Sequence, residues 1–248
     1  MIYIKSSGEI DLMRQSGKIV ASVFDILAPH IKPGVTTKEL DKIAKEYILS
    51  QGAKPSFLNY NGFPASICSS INNVVIHGIP GNDKLCEGDI VSIDVGAVKN
   101  GYHSDAARTF AVGQISKEAQ RLIDVTKQSF FEGLNYAKVG ERLFSISATI
   151  QNYVEENGFS IVRNYCGHGI GKNLHEDPEI PNYGTFGRGN RLMKNMTLAV
   201  EPMVNYGKAP TKVLSDGWGV VTLDNSLSAH YENTIVITDG EPYILTML

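Results

Sequence analysis

Two stretches decide how this chain folds: KPGVTTKELDKIAKEYILSQG at residues 32–52 and KVGERLFSISATIQNYVEENG at residues 138–158. Superposed at an offset of 106 residues, Lys32/Lys138, Gly34/Gly140, Leu40/Ile146, Tyr47/Tyr153, Ile48/Val154 and Gly52/Gly158 coincide. Each reads as an amphipathic helix between two glycine stops. The first opens at Thr36 with Glu39 three residues on, and carries Leu40, Ile43, Ala44, Tyr47 and Ile48 on one face. The second carries Leu143, Ile146, Ile150, Tyr153 and Val154. A longer helix precedes each. Ser6 can cap one while Glu9 closes a capping box, with Ile10, Met13, Gly17, Val20, Phe24 and Leu27 at helical spacing. Ala119 to Tyr136 reads as the other. Asn59-Tyr60 and Asn164-Tyr165 follow the pairs one step out of register. The pattern is an internal duplication, each half two helices followed by strands. Two such halves pack around a shared sheet as one domain, here 1–248 with halves of roughly 1–112 and 113–248.

Composition limits the function classes. The chain has 248 residues, 42% hydrophobic and 20% charged, with a formal net charge of -3. These are ordinary globular values, and the balanced charge makes no electrostatic case for nucleic acid or an anionic membrane. Cys68, Cys86 and Cys166 form no CxxC pair, so no disulfide framework or zinc ribbon is written here. The N-terminus lacks a secretory apolar core, and no apolar run approaches the ~20 residues that span a bilayer. The expectation is a soluble cytoplasmic protein.

Between the duplicated helices the pattern turns to strands. Ile90 to Val95 and Tyr102 to Val112 flank an Asn100-Gly101 turn, and Thr197 to Val204 and Ala229 to Ile237 are further candidates. If Asn100-Gly101 is a two-residue turn, Asp94 faces Ala107, and Asp105 lies two residues away on the same face. Such diagonal neighbours are ~7–8 Å apart, within reach of a shared cation. Left alone they repel, and a pKa rises. Glu201 in LAVEPM and Glu232 in HYENTI sit in similar apolar company, with no Lys or Arg in either segment. A solvated edge strand would explain either one, but not all four acids together.

Imidazoles come from two places. Cys166-Gly-His168-Gly-Ile-Gly-Lys-Asn-Leu-His175-Glu176 reads as a glycine-rich loop. It has neither GxGxxG nor GxxxxGK[ST] order, so its glycines are read as letting the backbone approach a site closely. His77 follows the apolar run Val74-Val75-Ile76.

The order Asp94, Asp105, His168, Glu201, Glu232, at spacings of 11, 63, 33 and 31 residues, resembles the dinuclear metal site of the methionine aminopeptidases. So do the settings SIDVG, HSDAARTF, GHGIG, AVEPM and HYENTIV, and the likeness runs from about Ile10 to Ile237. It is closest to the short type I form, with no N-terminal extension and no room for an insertion between Glu201 and Glu232. The resemblance implies an α/β (α+β) "pita-bread" creatinase/aminopeptidase fold, its pseudo-two-fold halves around a curved, mostly antiparallel sheet. It also implies removal of the N-terminal methionine from nascent chains, with a small second residue preferred, through a hydroxide bridging two metals.

By the same resemblance Asp94 chelates one metal, His168 and Glu201 belong to the other, and Asp105 and Glu232 bridge. Four carboxylates and one imidazole suit Mn, Fe, Co or Zn, two ions per chain. Glu201 is then the general base, His175 the partner of the developing oxyanion, and His77 a contact to the nitrogen on the leaving side. Tyr60, Phe63, Cys68, Leu174 and Trp218 match the methionine pocket, with Phe57 near its rim. Ser69 to Val75 with Ser228 matches a monovalent-cation loop. The implied partners are N-terminal segments of nascent polypeptides, with ribosome contact left open and the enzyme a monomer. The same fold hosts prolidases and aminopeptidase P enzymes, which carry a large extra N-terminal domain, and some metal-free binding proteins. The five intact ligands argue against the latter.

Overall fold

The computed structural model describes residues 1–248. Helix α1 (Ser7–Leu27) begins where the Glu9 N–H donates to Ser6 Oγ at 3.3 Å and the Ser6 N–H donates to the Glu9 carboxylate at 2.8 Å. Caps of this kind are worth about 1 kcal/mol. Thr36 and Glu39 repeat the box at α2 (Thr37–Ser50). Helix α3 (Lys117–Leu134) starts ahead of its first apolar residue because Ser116 caps it. Helix α4 (Leu143–Glu156) has Arg142 at its N-cap and no side-chain cap. There the Leu143 and Phe144 N–H groups donate instead to the carbonyls of Asn190 and Arg188 at 2.8 and 3.0 Å.

The duplication is visible in the bounds. Helix α2 and the strand Lys54–Pro55 recur, 106 residues on, as α4 and Ser160–Ile161. Gly34, Gly52, Gly140 and Gly158 have φ of 89°, 66°, 92° and 80°, the left-handed region that favours glycine as a helix stop.

All strand pairings are antiparallel. Ile90–Lys99 is the centre of a four-stranded sheet, pairing with Tyr102–Ala111, Ile67–Ile71 and Lys54–Pro55. The second half supplies five strands in the order Tyr243–Ile244, Asn233–Val236, Thr197–Val200, Cys166–Gly169, Glu176–Pro181. Two three-stranded sheets complete the layer. One is Ser228–His230, Met203–Asn205, Ser160–Ile161, and the other Thr211–Val213, Val220–Thr222, Val74–Ile76. Helices α1 and α2 bury Val20, Leu27, Leu40 and Ile48 against Ile67, Val91, Ile93 and Val95. Helices α3 and α4 bury Leu122, Phe130, Ile146 and Ile150 against Leu198, Val200, Val204 and Ile235. Each fully buried side chain of this size contributes roughly 1.5–3 kcal/mol. No helix is long and apolar enough to cross a membrane.

Two expected strands are each broken in the middle. Thr197 to Val204 divides into Thr197–Val200 and Met203–Asn205, and Ala229 to Ile237 into Ser228–His230 and Asn233–Val236. The first break is at Glu201-Pro202, where proline has no N–H for the ladder. At the second, Tyr231 N–H donates to the Pro202 carbonyl, while Glu232 and Ala107 exchange backbone bonds of 3.0 and 3.3 Å. That exchange couples the two large sheets across the strand carrying Asp105. A third, smaller core lies between the halves, from Met13, Phe57, Phe63 and Cys68 to Ile170, Leu174 and Ala199.

Candidate metal centre

The hairpin forms in the expected register, with Asp94 opposite Ala107 and Asp105 opposite Gly96. Both carboxylates therefore lie on one face of the four-stranded sheet. Glu201 and Glu232 come from the two strand breaks. A residue at a break is freed from strand alternation, so its side chain can turn inward beside apolar neighbours.

His168 lies on a strand, not in a glycine-rich loop, since Cys166–Gly169 pairs with both Glu176–Pro181 and Thr197–Val200. The glycines serve that packing. A Cβ on Gly167 would stand 2.3 Å from the Ala199 carbonyl oxygen, and one on Gly169 would stand 2.1 Å from that of Asp177.

Ligand atoms of Asp105, His168 and Glu232 lie within 4.8 Å of one another, and all three residues are buried. His168 Nε2 is 3.6 Å from Asp105 Oδ2 and 3.7 Å from Glu201 Oε1. Asp94 lines the same cavity, and its Oδ1 is buried without a hydrogen-bond partner. His168 Nδ1 is 2.8 Å from the Gly169 carbonyl oxygen, which can only accept, so Nδ1 carries the proton. The Nε2 lone pair then faces carboxylate oxygens. Lone pairs converging from four acids and an imidazole repel one another unless a cation lies among them.

The ionisation of these groups says the same. Burial first, then Asp105, pushes Asp94 well above the usual carboxylate range. Burial followed by the charges of Asp105 and Asp94 does so for Glu201. Glu232 is raised by burial and by Asp105, Glu201 and Asp94, with Arg108 opposing. Asp105 is raised to about 6, mainly by burial. His168 falls to about 4 because burial disfavours its cation, so it does not neutralise the acids. The donor set, hard oxygens with one imidazole, fits divalent cations such as Mn, Fe, Co or Zn.

A prediction follows for protein stripped of metal. Acids whose pKa is raised on folding stabilise the fold while protonated, below about 4, and that contribution is lost as pH rises through the folded values. His77, His168 and His175, lowered to about 4, and His230, lowered to about 3, act oppositely, but only up to about 6.5, the ordinary histidine value. Above about pH 6.5 the raised carboxylates Asp94, Glu201 and Glu232 decide, so the Tm of chelator-treated protein should fall as pH rises, and the gain on adding Mn or Co should grow. Scanning calorimetry at several pH values checks this. A flat metal-free Tm would contradict it.

Beside the acids is a cavity of about 180 Å³ lined by Phe57, Tyr60, Phe63, Cys68, His77, Leu174, His175 and Trp218. Every residue singled out from the sequence as ligand, catalytic group or pocket wall thus meets at this one cavity. The Trp218 ring packs edge-on against Phe63 at 5.1 Å, and the Trp218 backbone N–H donates to Asp216 Oδ1 at 2.8 Å. His175 Nδ1 is 2.8 Å from Tyr60 Oη, and its ring lies 4.1 Å from that of His168. His77 has φ 58°, a strained conformation for a side-chain-bearing residue and of the sort that collects at functional sites.

Several participants escaped the sequence reading. Arg108, within HSDAARTF, donates to the Glu232 carbonyl and to Asn233 Oδ1 at 2.6 Å, and its guanidinium stacks on Tyr231. Thr234 Oγ1 donates to the Asp105 carbonyl oxygen at 2.8 Å and accepts from its N–H at 3.0 Å. His230 is buried with Nε2 unpartnered, 3.7 Å from Glu201 Oε2. Asn61, with φ 49°, also lines the cavity. Arg108 and His230 lie in quoted motifs, but nothing in the spacing says that they reach behind the acids.

The profile of metallopeptidase family M24 matches residues 11–239. The chain is 57% identical to a methionine aminopeptidase of Clostridium perfringens over the full length of both. It is 53% identical to methionine aminopeptidase 1 of Bacillus subtilis over 99% of each. Among solved structures, a methionine aminopeptidase of Rickettsia prowazekii superposes with TM-score 0.98 at 43% identity, covering 100% of both chains. A Pyrococcus furiosus prolidase superposes with TM-score 0.81 at 22% identity over 99% of this chain and 65% of that one, a likeness of fold alone.

Proposed function

From the premise that the chain belongs to metallopeptidase family M24, we propose that it removes the N-terminal methionine of polypeptide chains, preferring a small second residue. It is a metal-dependent aminopeptidase. The observation that carries the reading is one cavity of about 180 Å³ lined both by the four carboxylates and the imidazole and by Phe57, Phe63, Leu174 and Trp218.

We assign Asp94, Asp105, His168, Glu201 and Glu232 as ligands of two divalent ions. Such ions supply Lewis acidity toward a carbonyl and toward a water molecule. The protein does the rest. Tyr60, Phe63, Cys68, Leu174 and Trp218 take the methionine side chain, aromatic and sulfur groups being suited to a flexible thioether. Glu201 takes a proton from the attacking water and hands it to the departing amide nitrogen. His175 donates from Nε2 to the carbonyl oxygen as it gains charge, a tautomer available when Tyr60 Oη–H donates to Nδ1. His77, lowered to about 4 by burial and then by the charge of His175, is a neutral contact for the nitrogen of the second residue.

Release of methionine from Met-Ala-Ser, against cleavage of Xaa-Pro dipeptides, tests the function. Hydrolysis of Xaa-Pro without methionine release would overturn it. Trp218→Ala should widen side-chain preference by about 10-fold, since pocket contacts discriminate by ~1–3 kcal/mol per methylene-sized group. Comparing kcat/KM for Met-, Leu- and Phe-Ala-Ser measures it, and an unchanged methionine preference would put Trp218 outside the pocket.

A further inference from the structure

The Lys5 and Glu176 side chains form an ion pair at 2.5 Å with only 5% and 3% of their surfaces exposed. Neither residue is among the assigned ligands, and Glu176 directly follows His175. We propose that this pair is a latch by which the N-terminal arm holds His175 in its working position, making Lys5 and Glu176 positioning residues for the reaction. The inference rests on the role assigned to His175 above.

Both oxygens of Glu176 are engaged. Oε2 takes the Lys5 ammonium, and Oε1 accepts the Asn173 N–H at 3.1 Å, closing the turn that carries His175. Lys5 is anchored in its own right. Its N–H donates to the Asn195 carbonyl at 3.1 Å, and its ammonium also donates to the Tyr3 carbonyl at 3.3 Å. Gly171 makes room for it, since a Cβ there would lie 2.4 Å from Lys5 Cε and 2.8 Å from Glu176 Oε1. The Gly171 carbonyl in turn accepts from His103 N–H at 2.8 Å, tying the turn to the strand of Asp105. His175 lines the cavity, with its Nδ1 2.8 Å from Tyr60 Oη. The imidazole's own hydrogen bond is that one contact, while the backbone carrying it is held by the latch and by the pairing of Glu176 with Gly169. A buried pair is weak evidence for net stability but can specify geometry when every atom is satisfied, as here. The neighbouring pair of the Met1 ammonium with Asp177 is largely exposed and contributes little.

Lys5→Met and Glu176→Gln should each lower kcat on Met-Ala-Ser about 10–100-fold, the usual loss when a supporting contact of an active group goes. KM and bound metal should stay close to wild type, and Lys5→Arg should recover most of the rate. On a His175→Ala background Lys5→Met should lower kcat no further, which a purely structural role would not produce. The His175 imidazole resonances of Lys5→Met should also shift or broaden, while those of His30 stay unchanged. If Lys5→Met does not fold, Glu176→Gln, which can keep the Asn173 contact, decides. Unchanged kcat in a folded variant, or an equal further loss on the His175→Ala background, overturns the latch alone. Failure of the wild-type enzyme to release methionine overturns both the functional reading and the latch.

Discussion

Asp105→Asn is expected to leave the protein folded, largely emptied of metal and without measurable methionine release. The loss should exceed about 10³-fold, beyond the ~10–100-fold usual when only a hydrogen-bond partner of a ligand is removed. Asp105 is buried, shares the tight group with His168 and Glu232, and its charge, after burial, does most to raise Asp94, Glu201 and Glu232. Asparagine has the same shape, so the Thr234 contacts of the backbone can persist. It brings one less negative charge and an amide N–H₂ where a lone pair is needed. If Asp105 serves both ions, as the resemblance implies, each would lose a ligand. Removing a charge from a crowded cluster should raise the Tm of metal-free protein. Metal analysis, turnover and Tm on one preparation check all three, and retention of two metals with near-normal turnover would sink the bridging assignment.

His175→Ala should behave differently. Bound metal and KM should be retained while kcat falls by about 10²–10³, the usual loss for one oxyanion donor. Burial and then the His168 charge lower the imidazole to about 4, so it is neutral at working pH. With Nδ1 engaged by Tyr60, Nε2 is the atom free to meet substrate. A group acting on charge that develops only in the transition state changes kcat and leaves ground-state binding alone. Normal kcat with a lowered Tm would falsify the catalytic role. Lost metal would make His175 a ligand.

The helices were legible because their causes are local. Ser6 with Glu9 and Thr36 with Glu39 are capping boxes a few residues long, and the glycine stops sit where left-handed φ is needed. Asp94 and Asp105 were legible for the same reason, a two-residue turn setting the register of the hairpin. Helix α4 shows the limit. Its start carries no side-chain cap and is completed by carbonyls of Arg188 and Asn190, distant in sequence.

Taken by itself, the sequence determined the duplicated helix pairs and the hairpin register, and through spacing and resemblance it singled out the four acids, the imidazole and the apolar residues that meet at one cavity. Local hydrogen bonds and side-chain periodicity act within a few residues, so they can be read there. Only the tertiary structure decided that the strands of Glu201 and Glu232 break at those residues, and that the glycines around His168 admit neighbouring strands. It alone brought Arg108, Thr234 and His230 behind the acids and the Lys5 ammonium beneath the His175 turn. These contacts join residues far apart in the chain, and burial and Coulomb forces depend on distance in space, which spacing along the sequence does not encode.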